Sequence, residues 1–171
     1  MTESLNASAL AGGSVRDIDF SDPRQVAAFS TLLDHYAQDP MGGGEALSGE
    51  VLRALPEKLR ALPTFHGALA WCDDQAIGLI NCFEGFSTFK AKPLLNIHDI
   101  VVHADWRGHR VGETLLDWAA QRARSIGACK LTLEVLAHND SAKRCYQRAG
   151  FQAYVLDPAV GAAGLMQRIL D

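Results

Sequence analysis

No apolar run in this 171-residue chain approaches the ~20 residues that a membrane-crossing helix needs, so no transmembrane helix is expected. Residues 1–14 have neither the basic start nor the apolar stretch of a secretory signal, and read as a loose arm before the folded part. The four cysteines, Cys72, Cys82, Cys129 and Cys145, stand far apart without CxxC spacing, and the six histidines form no HxxxH-type pair. Neither a zinc site nor a disulfide framework is expected, and reduced thiols fit a cytoplasmic protein. A GxGxxG loop is missing, and the elements do not form repeated βαβ units, which disfavours a dinucleotide fold. Clustered positive charge is lacking too. A net charge of −4 argues against a nucleic-acid partner and would tolerate a cationic small substrate. Repeats and low-complexity tracts are absent.

What is present is an ordinary globular composition, 48% hydrophobic and 21% charged, enough for one domain over residues 15–171 with a single covered core. Val15–Phe20 alternates and predicts an edge strand. Ser21, Asp22 and Pro23 supply cap and first-turn chemistry for a helix that must stop near Asp39-Pro40. After a glycine run at 42–44, Ser48 caps a second helix to about Leu62, expected to be kinked or split at Pro56. Phe65–Cys72 and Ala76–Phe83 form a predicted hairpin, and Phe86–Pro93 a linker or an irregular strand extension. Leu94–His103 is apolar on both faces and predicts a central strand. A helix to Gly127, a strand over Lys130–Leu136 and a helix capped by Asn139 follow, then two closing strands, Phe151–Leu156 and Leu165–Leu170. The predicted fold is α/β (α+β): a mixed, mostly antiparallel sheet of about seven strands with helices on both faces. Its element order is β-α-α-β-β-β-α-β-α-β-β.

The chemistry concentrates around Leu94–Gly127. A strand feeding RGHRVG and then a helix aims several N–H groups and the positive helix end at one spot, which suits a pyrophosphate. Arg107, His109 and Arg110 add positive potential; a plain solvated basic turn is the alternative. On the strand itself, Asn96–Val102 contains His98 and Asp99 in an apolar setting. Burial there would raise the carboxyl and lower the imidazole, moving both toward neutrality. Alternation puts the two on opposite faces unless the strand is bulged.

Leu95–Phe151 resembles the core of the GNAT superfamily of N-acetyltransferases. The family signature is [Q/R]-x-x-G-x-[G/A]; Arg107, Val111 and Gly112 occupy matching places in RGHRVG, and Arg110 stands where the middle glycine is usual. With helical dihedrals at Arg110 the loop would survive; with positive φ cofactor affinity would suffer. A second matching block, HNDSAKRCYQRAGF, places Asn139 and Tyr146 where the family turns them to the cofactor. The resemblance implies acetyl-CoA as co-substrate and no metal, with cofactor contacts at Ile100, Val101, Val102, Arg107, Gly108, His109, Arg110, Val111, Gly112, Glu113 and Asn139. The backbone of 100–102 would pair with the pantetheine arm. It implies Tyr146 as the acid that protonates the departing thiolate, although by spacing alone Tyr146 reads as a core aromatic and Asn139 as a helix cap. The His98-Asp99 pair stands where the polyamine and diamine branch carries Glu-Asp, so either could be the base.

Tyr36, Asp39 and Met41, beside the glycine run, and Glu84 at the end of the hairpin are candidate contacts for the amine; Glu84 could equally face water. The glycine run reads as a mobile connection or a phosphate nest. Cys129 and Cys145 lie in apolar patterns with no base beside them in sequence, and read as core, not as a ping-pong thiol. The expected activity is acetyl transfer from acetyl-CoA to a primary amine, a small cationic one for preference. The alternative is a non-catalytic acyl-CoA-binding or sensing module. Members of the superfamily often dimerise, so a homodimer is a further expectation.

Overall fold

Strand β4 (Lys92–Val102), paired along both edges, organises the site end of the sheet. A computed structural model describes residues 13–155, 159, 164 and 166–170 of the chain. The other elements are β1 (Gly13–Asp17), α1 (Pro23–Gln38), α2 (Gly49–Arg60), β2 (Phe65–Cys72), β3 (Gln75–Ser87), α3 (Val111–Ser125), β5 (Leu131–Leu133) and α4 (Asp140–Arg148). A 3₁₀ turn, Ala104–Trp106, links β4 to the loop before α3. The strands form one sheet in the order β1-β2-β3-β4-β5, antiparallel throughout except for the parallel β4–β5 pair.

Local chemistry sets most boundaries. Asp22 accepts from the Arg24 N–H at 2.9 Å, with Pro23 opening α1, and Ser48 accepts from the Val51 N–H at 3.2 Å to start α2. Pro56 does not split α2, which is one continuous helix; its ring is buried against the core. α3 and α4 both end in the predicted glycines. Gly127 at φ 70° and Gly150 at φ 87° are followed by the bonds Ala128 N–H to Ala123 O and Phe151 N–H to Tyr146 O. Those are Schellman closures, which a Cβ would hinder.

Each face of the sheet has its own core. Ala68, Ala70, Ile80, Leu95 and Ile97 face α3 through Val111, Leu115, Leu116 and Ala119. Leu69, Trp71, Leu79 and Val101 face α1 and α2 through Phe29, Leu32, Leu33 and Leu59. Fully burying one such leucine is worth ~1.5–3 kcal/mol, so both layers are needed to hold the sheet.

The strand count is lower than expected: the sheet has five strands among the described residues. Residues 151–154 carry no strand, Val155 makes only an isolated bridge, and residues 166–170 are irregular and exposed. Leu156 and Leu165, at the ends of the two expected closing strands, lie outside the described residues, as do residues 1–12 of the expected arm. The expected strand at Lys130–Leu136 is shortened to Leu131–Leu133 because β4 accepts a partner only as far as Ile97. Of Phe86–Pro93, expected as a linker or irregular strand extension, half is strand. β3 runs to Ser87 and β4 starts at Lys92, joined by a turn at 88–91.

Candidate active site

One irregularity in β4 builds the site. Opposite β3, Asn81 pairs with Asp99 and Cys82 pairs with Ile97, which leaves His98 as an extra residue in a bulge. A bulge reverses the alternation locally and sharpens strand twist. Ile97 therefore faces α3, while His98 and Asp99 both face α1 and α2 and line the same cavity. β5 stops at Leu133, level with Ile97, so beyond the bulge no described strand pairs with that edge of β4. The wedge between β4 and β5 opens there.

Into that wedge comes the start of α3. Its first intrahelical bond is Thr114 N–H to Arg110 O at 3.2 Å, so the N–H groups of Val111, Gly112 and Glu113 precede the helical ladder. Arg110, the N-cap, offers no side-chain acceptor to them. The result is a cavity of 330 Å³ between the edge of β4, the α3 N-terminus and α4. Ile100, Val101, Val102, Arg107, Gly108, Arg110, Val111, Gly112, Glu113, Asn139 and Tyr146 all line it, and Tyr36, Asp39 and Met41 close it from the α1 side. Gly112 permits the close crossing of α3 and α4: a Cβ there would lie 3.3 Å from Cys145 Sγ. His109 is the one expected cofactor residue that does not line this cavity. Its ring sits edge-on to Trp106, with Nδ1 3.1 Å from Arg107 O.

Much of the expected positive potential is compensated within the chain. Arg107 pairs with Asp39 at 2.8 Å, and Glu113 receives Arg110 at 2.7 Å and Arg148 at 2.8 Å. The Met41 N–H and the Arg107 guanidinium hold Asp39 below the usual carboxylate range, and the two arginines do the same for Glu113. Arg110 adopts φ 63°, ψ 12°, a left-handed conformation that favours glycine. The substitution in the family signature therefore falls on a position of positive φ.

Tyr146 projects from α4 into the cavity, and Asn139 caps that helix by accepting from the Ala142 N–H at 3.1 Å. Burial, with Cys145 and Tyr36 close by, pushes the Tyr146 phenol up to about 12. Burial raises Tyr36 as well, helped by the charges of Asp99 and Asp39. It also raises the Cys145 thiol, the wrong direction for a nucleophile.

Tyr36 lines a second cavity, of 300 Å³, on the α1 and α2 side of the sheet. Asn81, Phe83, His98 and Asp99 form its sheet wall. Asn81 Nδ2 donates to Asp99 Oδ2 at 3.0 Å, and His98 is set edge-on to Phe83. His98 is exposed at the surface end of this wall, so the expected burial of the imidazole does not hold. Glu84 is not in either cavity. It lies on the α3 side of the sheet, where its Oε1 is 2.6 Å from His66 Nε2.

The glycine run is not a free phosphate nest: the N–H groups of Gly42, Gly43 and Gly44 all donate to Asp39 O. Gly42 lies so close to α1 that a Cβ would fall 1.9 Å from Tyr36 O. Sequence reasoning missed Trp106, Ser141, Cys145, Arg148 and Asn81 as cavity residues. Asn81 alone carried a signal, an amide set among apolar residues of a central strand, which must find partners or leave polar atoms unpaired.

Among the described residues no cluster of three metal-ligating side chains occurs, and no helix is long and apolar enough to cross a membrane. Over 90 residues the chain is 31% identical to the aminoalkylphosphonate N-acetyltransferase of Salmonella typhimurium, covering 53% of this chain and 58% of that protein. It is 39% identical over 56 residues to an uncharacterised N-acetyltransferase of Bacillus subtilis, covering 33% of this chain and 36% of the other. The chain thus spans about half the length of the curated relatives it matches. A probable acetyltransferase of known structure superposes with a TM-score of 0.78 at 21% identity, covering 92% of this chain and 99% of that one, which shows the shared fold. Residues 30–151 match the Acetyltransferase (GNAT) family, and with the opened β4 edge and the uncapped α3 start this chain belongs to that family.

Proposed function

We propose that this protein moves the acetyl group of acetyl-CoA onto the nitrogen of a small primary amine, by direct attack and without an acetyl-enzyme intermediate. The observation that carries the reading is the pair of cavities sharing Tyr36. One has backbone donors and a helix start; the other has a carboxylate and an imidazole. The residues fit the co-substrate. Ile100, Val101 and Val102 offer an open strand edge to an extended pantetheine arm, and the N–H groups of residues 111–113 suit its pyrophosphate. When bound, acetyl-CoA supplies a thioester carbon for the amine to attack and a thiolate to depart.

Tyr146 keeps its proton because burial pushes its phenol up to about 12, and in this reading it gives that proton to the departing sulfur. The same desolvation works against any bare thiolate in the cavity, so proton affinity rises on both partners. Asp99 anchors the acceptor ammonium, and exposed His98 on the same wall takes the excess proton out to water. Cys145 is wall, not a nucleophile.

The departure of Arg110 from the family signature is what speaks for the alternative, a module that binds acyl-CoA without turnover. Kinetics on Tyr146→Phe separate the two. Free CoA is measured against a panel of amines, and acetyl-CoA affinity by calorimetry. Turnover falls about a hundredfold with affinity nearly unchanged if Tyr146 is the acid. Unchanged turnover overturns that role. Tight acetyl-CoA binding with no CoA release from any amine supports the silent module.

A further inference from the structure

We propose that the second cavity selects a compact primary amine with one cationic head and an apolar body, and that Asn81 orients its nitrogen. This rests on the acetyl-transfer reading and adds the acceptor's chemistry to it.

Among the described residues Asn81 is the one buried polar residue, 3% exposed among otherwise apolar side chains. Its Nδ2 donates to Asp99. An ionised carboxylate only accepts, so that bond fixes which end of the amide is which. The other end, Oδ1, is fully buried and has no hydrogen-bond partner. A buried acceptor left unpaired is costly, and one on a residue that lines a cavity is suited to a donor arriving with a ligand. A primary ammonium has three N–H bonds. Asn81, Asp99 and Tyr36 all line this wall, and in this proposal their side-chain oxygens are the acceptors for them. The Asp99 charge is felt at Tyr36, whose phenol it helps to raise.

Beyond that polar end the wall changes character. Phe29, Leu33, Leu47, Leu55, Leu59 and Phe83 supply it, and His98 is the only cationisable side chain among the residues that line it. The volume of 300 Å³ is at the small end of the ~300–1,000 Å³ found for small-molecule sites. A diamine or an aminoglycoside would press a second ammonium against leucine and phenylalanine, with no second carboxylate to meet it. An aminoalkylphosphonate would bring a dianion toward Asp99. The acceptor therefore differs from the aminoalkylphosphonate named for the Salmonella relative.

The test measures CoA release by the full chain with acetyl-CoA and two groups of amines. Phenethylamine and hexylamine stand against putrescine, spermidine, 2-aminoethylphosphonate and kanamycin. The apolar monoamines should give kcat/KM at least about tenfold higher than any of the others. Asn81→Ala should raise KM for the best amine about tenfold while KM for acetyl-CoA stays put, a split that general loss of structure would not produce. Leu47→Glu, on the loop before α2, should shift preference toward putrescine; it also decides the matter if Asn81→Ala fails to fold. A diamine, phosphonate or aminoglycoside that equals the monoamines overturns the proposal, as does an unchanged amine KM in a folded Asn81→Ala. Silence with every amine while acetyl-CoA binds overturns the acetyl-transfer reading itself, and this proposal with it.

Discussion

Arg110 is held at φ 63°, where a side chain with a Cβ costs ~1–2 kcal/mol relative to a right-handed residue. Its guanidinium in turn grips Glu113, which Arg148 holds from the other side. Strain and ion pairing can be separated by comparing two substitutions. Arg110→Gly and Arg110→Ala both lose the guanidinium, but only glycine relieves the backbone. Urea denaturation should find the glycine variant more stable than the alanine variant by ~1 kcal/mol; equal midpoints would remove the strain argument. The neighbouring strand poses a second residue-level question. If His98 carries the proton and Asp99 holds the ammonium, His98→Gln abolishes the acidic limb of the kcat/KM profile. Asp99→Asn instead raises amine KM and leaves that limb in place. The opposite pattern would exchange their roles.

At the scale of elements, the bulge in β4 does two things at once. It brings His98 and Asp99 onto one face, and it ends pairing with β5 so that the strand edge at 100–102 is open. Two glycines keep the flanking elements close enough to use that geometry. A Cβ on Gly78 would stand 3.0 Å from both Val101 O and Val111 Cγ1, and 3.1 Å from Leu115 Cδ1, beneath the first turns of α3. Gly42 lies against the Tyr36 carbonyl at the end of α1. Gly78→Ala should therefore destabilise the fold by ~1–3 kcal/mol and weaken acetyl-CoA by displacing the α3 N-terminus. Gly42→Ala, whose Cβ would meet the Tyr36 carbonyl at 1.9 Å, should destabilise the fold at least as much, and raise the amine KM through the displaced Tyr36. Thermal melts and initial rates with each substrate varied in turn would show the two effects; a shared pattern would deny that the glycines serve different cavities. The caps and the glycine closures of α3 and α4 were legible in the sequence because they need only residues within a turn of one another. The length of β5 was not, because pairing depends on an edge contributed by residues about 35 positions earlier, as in Leu95 with Leu131.

For the whole molecule, the partly buried phenols couple folding to alkaline pH. Tyr146 sits near about 12 in the folded protein. A free phenol titrates near ~10, so the folded state keeps the proton longer than the unfolded chain. The stability this gives is complete below pH ~10 and is lost as pH climbs through the folded value. Tyr36 is displaced in the same direction. Tm should fall over that interval, and Tyr146→Phe should make the fall shallower; superimposable curves for the two proteins would dismiss the linkage.

By itself, the sequence determined the helices, the hairpin, the RGHRVG loop at the start of α3 and the family, since caps, alternation and RGHRVG act through near neighbours. It also marked Asn139, Tyr146 and the β4 backbone as cavity residues. Only the tertiary structure decided that His98 and Asp99 share a face, because one unpaired residue against β3 reverses the alternation that sequence spacing assumes. It alone placed Glu84 on the far side of the sheet, and it alone matched Arg107 with Asp39 and Arg148 with Glu113. Those contacts join residues 68 and 35 positions apart, and such charges meet only after the chain has folded.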